Sequence, residues 1–175
     1  MDDVLEPTTL TARAQRVRIM LTDVDGVLTD GSVYYSARGE ELLRFSRRDG
    51  MGVERLRSAG IETAIITREK SEIVRRRAEK LGVERIFEGV RDKRAALDTV
   101  LADCHVHIGE LGYIGDDVND AGIIDILRTH NLIACPADAM PEISRMAHYV
   151  CRARGGEGAF REFAEWVLSH RNSNM

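Results

Sequence analysis

The chain has 175 residues, of which 43% are apolar and 31% charged, and a formal net charge of −4. That length allows one domain, with a core large enough to stand without disulfide or metal staples. With no basic face dominating, the charge balance argues against a nucleic-acid partner, and no run approaches the roughly 20 apolar residues of a membrane helix.

Residues 1–10 read as a flexible polar leader. Asp2, Asp3, Glu6 and Arg13 leave no room for the apolar stretch of a signal peptide. The three cysteines, Cys104, Cys135 and Cys151, are scattered and lack CxxC spacing. Both features fit a cytoplasmic protein. A short helix is expected over Thr11–Arg16, then a buried strand over Val17–Thr22. Asp23-Val24-Asp25-Gly26 follows at the strand's carboxyl end. Side chains alternate along a strand, so Asp23 and Asp25 share a side while Val24 faces the core. Two acids this close repel unless a cation joins them, which points to Mg2+ and phosphoryl chemistry. Taken alone, such a pair is more often a solvated turn.

Gly31–Tyr35 and Glu41–Phe45 flank Ala37-Arg38-Gly39 as a β-hairpin over 31–46, ahead of the first long helix. A lone hairpin is marginally stable in water, so Tyr34, Tyr35 and Phe45 are expected to form an assembly surface. An amphipathic helix follows over Asp49–Ala59, stopped by Gly60. The strand Ile61–Ile66 then ends at Thr67. Ser71–Leu81 is a helix closed by Gly82, Arg85–Phe87 a short strand and Lys93–Leu101 a helix. Leu111–Gly115 is a strand leading through Asp116, Asp117 and Asp120 into a helix carrying Ile123, Ile124 and Leu127. Leu132–Ala134 and Ala147–Val150 complete the strands around a helix starting near Pro141. Phe160–Leu168 is the last helix, after Gly155-Gly156-Glu157-Gly158. Alternation at this spacing implies one α/β domain over 1–175, a doubly wound, mostly parallel sheet. No segment is long enough for a separate cap domain.

Four signals fall in order at strand ends or helix starts: Asp23 with Asp25, Thr67, Lys93, and Asp116-Asp117 with Asp120. Phosphate-ester hydrolysis needs a nucleophile, a cation, donors for the phosphoryl oxygens and a proton for the leaving alcohol. Asp23 can attack phosphorus to give an aspartyl-phosphate, and Asp25 can protonate the leaving oxygen and later deprotonate water. Thr67 offers a hydroxyl and a backbone N–H to the phosphoryl group, and Lys93 a point charge. Asp116 completes a magnesium shell, while Asp117 and Asp120 orient water ligands and Lys93. Plainer roles compete. Thr67 and Asp120 could simply cap helices, Lys93 could be a surface cation, and Arg75-Arg76-Arg77, His105 and His107 read as solvated surface.

This ordered set resembles the haloacid dehalogenase superfamily over nearly the whole chain, Val17 to Trp166. The resemblance implies Asp23 as nucleophile and Asp25 as acid/base. It also implies Mg2+ held by Asp23, the main-chain carbonyl of Asp25, and Asp116. DVDGVLTDG, FSRRDGMGV, EIVRRRAEKLGV, GDDVNDAG and RGGEGAFREF are similar to a capless subfamily of phosphatases of 2-keto-3-deoxy sugar acid phosphates. Its substrates include 3-deoxy-D-manno-octulosonate 8-phosphate, a precursor for lipopolysaccharide, and 2-keto-3-deoxynonulosonate 9-phosphate. The hairpins of such relatives join four subunits, so a homotetramer is implied. The glycine-rich stretch is implied to be flexible and near the active site.

Relatives usually have Thr-Gly where this chain has Thr67-Arg68, which places Arg68 at the site mouth for a substrate carboxylate. Arg48 is similar to the octulosonate enzymes. Glu69, Arg77 and Lys80 are closer to the nonulosonate enzymes, and all are candidate substrate contacts. Two other classes compete. A receiver domain carries its acidic pair first and its phosphoacceptor before the Thr, an order this chain lacks. A non-catalytic assembly module of the same fold would be expected to lose motif residues, and this chain keeps them.

Overall fold

Alternating side chains on four short apolar strands divide the core into two halves. In the computed structural model, which describes residues 7–171, these are β1 (Ile19–Thr22), β4 (Glu62–Ile66), β6 (Leu111–Ile114) and β7 (Leu132–Cys135). Together with β5 (Arg85–Phe87) and β8 (Tyr149–Val150) they form a six-stranded sheet in the order β5-β4-β1-β6-β7-β8, every pair parallel. Met20, Ile65, Ile114, Leu132 and Ala134 face one way. They pack on α1 (Pro7–Arg16), α2 (Arg47–Ser58), α3 (Glu72–Leu81) and α7 (Ala159–Arg171). Their neighbours Ile19, Leu21, Ala64, Ile66, Tyr113, Ile133 and Cys135 face the other way, toward α4 (Leu97–Cys104), α5 (Val118–Leu127) and α6 (Pro141–Met146). Strands buried on both faces are the mark of a doubly wound sheet, as expected.

Local chemistry fixes the ends of these elements. Ser46 caps α2 by accepting from the Arg48 amide, Gly82 closes α3 with a φ of 65°, and Pro141 opens α6. Two sequence expectations need correction. Residues 7–10, assigned to the leader, belong to α1, where Leu10 packs against the same core as Ala14; the rest of the leader lies outside the described residues. Lys93 does not begin a helix. Asp92 Oδ1 accepts from the Ala95 amide at 3.1 Å and closes a turn first, so α4 starts four residues later, at Leu97.

The hairpin, β2 (Thr29–Ser36) and β3 (Gly39–Phe45), pairs antiparallel and stands apart from the main sheet. Its base is anchored, since Leu43 and Phe45 pack on the core. Outward it exposes Tyr34, Tyr35 and Leu42. Among the described residues no helix is long and apolar enough to cross a membrane.

Candidate active site

The strand order brings β4, β1 and β6 side by side, with Thr22 in register with Ile65 on one flank and Ile114 on the other. The residues that follow each strand therefore meet at one carboxyl edge, where open α/β sheets place their sites. Asp23, Asp25, Arg68, Glu69, Asp116 and Asp117 line a cleft of about 360 Å³ there, with Gly26, Gly31, Val118 and Asn119.

Lys93 is the electrostatic centre. It is 1% exposed, and its Nζ lies 2.8 Å from Asp23 Oδ2 and 2.6 Å from Asp120 Oδ1. Burial works against its charge, but the two carboxylates outweigh burial and hold its pKa above the usual lysine value. Asp120 is saturated. Its Oδ1 also accepts from the Tyr113 hydroxyl at 2.6 Å, and its Oδ2 from the amides of Asp116 (2.8 Å) and Asp117 (3.4 Å). With Asp117 it forms the capping box of α5, so its cap role and its hold on Lys93 coexist.

Asp23 accepts from the Val24 amide at 2.7 Å and from Asn119 Nδ2 at 3.4 Å. Asp116 Oδ1 is buried without a hydrogen-bond partner among the described residues. Ligand oxygens of Asp23, Asp116 and Asp120 lie within 4.8 Å of one another. Burial, then the charge of Asp120, raise the Asp23 pKa to about 7, while burial and then the charge of Asp23 raise Asp116 to about 8. An all-carboxylate set with an orphaned oxygen fits a hard divalent cation such as Mg2+, whose charge removes that repulsion. Because Asp120 is already saturated, Asp23 and Asp116 are the two carboxylates free to ligate.

Asp25 is half-buried in the same cleft, its pKa raised by burial and then by the charges of Glu40 and Glu69. Glu40 arrives from the hairpin and is tied down by the Ser71 hydroxyl at 2.7 Å. Gly26 is required here: its φ is 79°, and a Cβ would run into the Asp116 carboxylate.

Over this frame the relatives are informative. No protein-family model matches the chain. A Yersinia pestis protein named 3-deoxy-D-manno-octulosonate 8-phosphate phosphatase KdsC is 37% identical, over 95% of this chain and 84% of its own length. This chain belongs to the 3-deoxy-D-manno-octulosonate 8-phosphate phosphatase family of the haloacid dehalogenase superfamily. Two solved members of the family superpose closely. A Moraxella catarrhalis structure described as a complex with magnesium ion, phosphate ion and KDO matches with a TM-score of 0.87 and 31% identity, covering 95% of this chain and 94% of that one. A cobalt-bound Haemophilus influenzae structure matches with a TM-score of 0.86 and 33% identity, covering 91% of each.

Not every expected residue meets at the family's cleft. Thr67 is buried beside it, but its amide donates to Phe87 O at 2.9 Å, continuing the β4–β5 ladder. That N–H is spent, which corrects the expectation that it serves a phosphoryl group; the Thr67 hydroxyl and the next amide, of Arg68, remain. Arg48, Arg77 and Lys80 do not line the cleft of their own chain. Arg77 turns inward, donating from Nη2 to Ser46 O at 3.0 Å with its guanidinium 5.7 Å from the Phe45 ring centre. Arg48 and Lys80 are exposed, as are Arg75, Arg76, His105 and His107. Tyr113, Asn119 and Glu40 were not singled out by the sequence, although Asn119 sits inside the acidic motif itself.

Proposed function

We propose that this protein is a Mg2+-dependent phosphatase that releases phosphate from 3-deoxy-D-manno-octulosonate 8-phosphate. One observation carries the reading: Lys93 is buried between Asp23 and Asp120, beside the orphaned Asp116 oxygen, in a chain of this family. Mg2+ would be held by Asp23, the Asp25 carbonyl and Asp116, and when bound it supplies positive charge against the phosphoryl oxygens. Asp23 attacks phosphorus, forming an aspartyl-phosphate as the ester P–O bond breaks, and Asp25 gives its proton to the departing sugar oxygen. Asp25 then takes a proton from water, whose oxygen attacks the aspartyl-phosphate and restores Asp23. Its half-buried position and raised pKa suit both duties. The Thr67 hydroxyl and Arg68 amide donate to the phosphoryl oxygens, while Lys93 holds Asp23 in place. Asp117 and Asp120 act one layer out, orienting water ligands and Lys93.

Arg68 and Glu69, at the cleft mouth, are the first substrate contacts, with Arg68 reading the sugar-acid carboxylate. Arg48, Arg77 and Lys80 would reach substrate only across a subunit boundary. The product feeds lipopolysaccharide precursor synthesis in the cytoplasm. Purified protein with Mg2+ is expected to act on the octulosonate 8-phosphate with kcat/KM at least about tenfold above that on the nonulosonate 9-phosphate. The reverse ranking would move the assignment to the nonulosonate ester, and no phosphate release from either would remove it.

Assembly as a homotetramer through the hairpin is part of the same proposal. Tyr34, Tyr35 and Leu42 are 59%, 72% and 63% exposed, too much apolar surface for a two-stranded ribbon in water. Light scattering is expected to give a four-chain mass, and Leu42→Glu a smaller one. A wild-type monomer at micromolar concentration would sink the hairpin assignment.

A further inference from the structure

We infer that Asp138 is a positioning residue for the metal-binding carboxylates, acting through the Gly155–Gly156 turn. This rests on the metal reading above. Asp138 lies in the loop after β7, away from the four motifs, and touches neither cleft nor carboxylates.

Two segments are zipped together there. The Ala137 amide donates to Ala153 O at 3.0 Å, and the Gly155 amide donates to Asp138 Oδ1 at 2.9 Å. Asp138 Oδ2 also faces Arg154 Nε at 3.3 Å. Each segment in turn grips one half of the metal set. On one side, the Met140 amide donates to Asp116 O at 2.8 Å. On the other, the Gly156 amide donates to Val27 O at 2.9 Å, and Gly155 lies so close to Gly26 that a Cβ would run into the Gly26 carbonyl. Gly26 itself packs against the Asp116 carboxylate.

The separation of Asp23 and Asp116 is thus set twice: directly at Gly26, and around the back through Asp138. The expected flexible glycine stretch is instead a wedge pressed on the catalytic loop. Asp138 is the only side chain among the described residues that holds that wedge to the loop after β7, which the Met140 amide ties to Asp116 O. Loss of the Gly155 bond would let Gly26 retreat and the two carboxylates drift apart. Groups that hydrogen-bond metal ligands directly are worth about 10–100-fold in metal affinity, and Asp138, one contact further out, is expected at the lower end.

Calorimetric titration of the full-length, metal-stripped protein with Mg2+ alone tests this. Asp138→Ala is expected to weaken Mg2+ binding at least about tenfold. Asp138→Asn, which keeps an Oδ1 acceptor for the Gly155 amide, is expected to restore it. Arg154→Ala, which breaks only the ion pair, is expected to bind Mg2+ as wild type does. Gly155→Ala is a second route to the same result, since its φ is not left-handed and what opposes it is the clash with the Gly26 and Thr29 carbonyls of the catalytic loop. Turnover should follow, with the Mg2+ dependence displaced and kcat at saturating Mg2+ nearly kept. An Asp138→Ala isotherm matching wild type, or Asp138→Asn as weak as Asp138→Ala, would overturn the inference alone. Wild type that binds no Mg2+ would overturn the metal reading beneath it.

Discussion

Asp23→Asn is expected to lower turnover by about 10⁴-fold or more while the fold persists. The carboxamide matches the carboxylate in shape and keeps an oxygen for the Val24 amide, while its NH2 replaces the Oδ2 that faced Lys93 Nζ at 2.8 Å, a local mismatch the loop can absorb by turning Lys93 wholly to Asp120. What it loses is the anionic oxygen that attacks phosphorus. Wild-type turnover in this variant, measured with saturating Mg2+, would mean that water attacks directly and no aspartyl-phosphate forms. A second readout concerns stability without metal. Burial and the Asp120 charge raise the folded Asp23 pKa to about 7, so the folded chain keeps a proton that the unfolded chain has already lost. Stability from this group is therefore present at low pH and falls as pH rises through about 7. Removing the carboxylate should therefore raise the metal-free melting temperature more near pH 8.5 than near pH 5.5, because the penalty for ionising buried Asp23 grows until pH passes the folded pKa. Function-bearing residues held against their electrostatic preference behave this way. An equal shift at both pH values would contradict the assignment.

Much of this site is local chemistry and so is legible in the chain. Asp23, Asp25 and Asp116 each follow an apolar run of strand length, and a parallel sheet delivers all strand ends to one edge. What the sequence conceals is partner choice across the fold. Thr67 carries a free-looking amide until the β4–β5 register places Phe87 O against it. Tyr113 reads as core in an apolar strand, and it is buried, yet its hydroxyl points to Asp120. Arg77 belongs to a charged stripe, but Gly50 on α2 leaves the space into which its guanidinium turns. The helix after Lys93 starts later than its composition predicts, because Arg94-Ala95-Ala96 has helical composition while Asp92 spends its side chain closing a turn. The hairpin is legible because its aromatic and aliphatic strands and the Ala37-Arg38-Gly39 turn between them are contiguous in the chain. The pairing of Asp138 with Gly155, 17 residues apart and between two loops, leaves no such trace.

Lys93→Met should show how strongly that concealed network is coupled. Lys93 neutralises two carboxylates whose side chains are 4% and 0% exposed, and methionine fills its volume without its charge. Removing one member of a buried ionic set costs about 3–5 kcal/mol, because the uncompensated charges remain. In chelator, urea unfolding of Lys93→Met should reveal a loss of that order. Turnover should fall by about 10²–10³-fold, since Asp23 is no longer held and no cation faces the phosphoryl group from the sheet. Adding Asp120→Asn separates the two effects. Asparagine keeps an oxygen for the Asp116 amide and turns an N–H toward the Tyr113 hydroxyl, so one of the two stranded charges disappears. The double variant is expected to be more stable than Lys93→Met alone yet no more active, a non-additivity reserved for groups in direct contact. If the second change lowers stability further, the penalty in Lys93→Met comes from lost packing rather than from stranded charge.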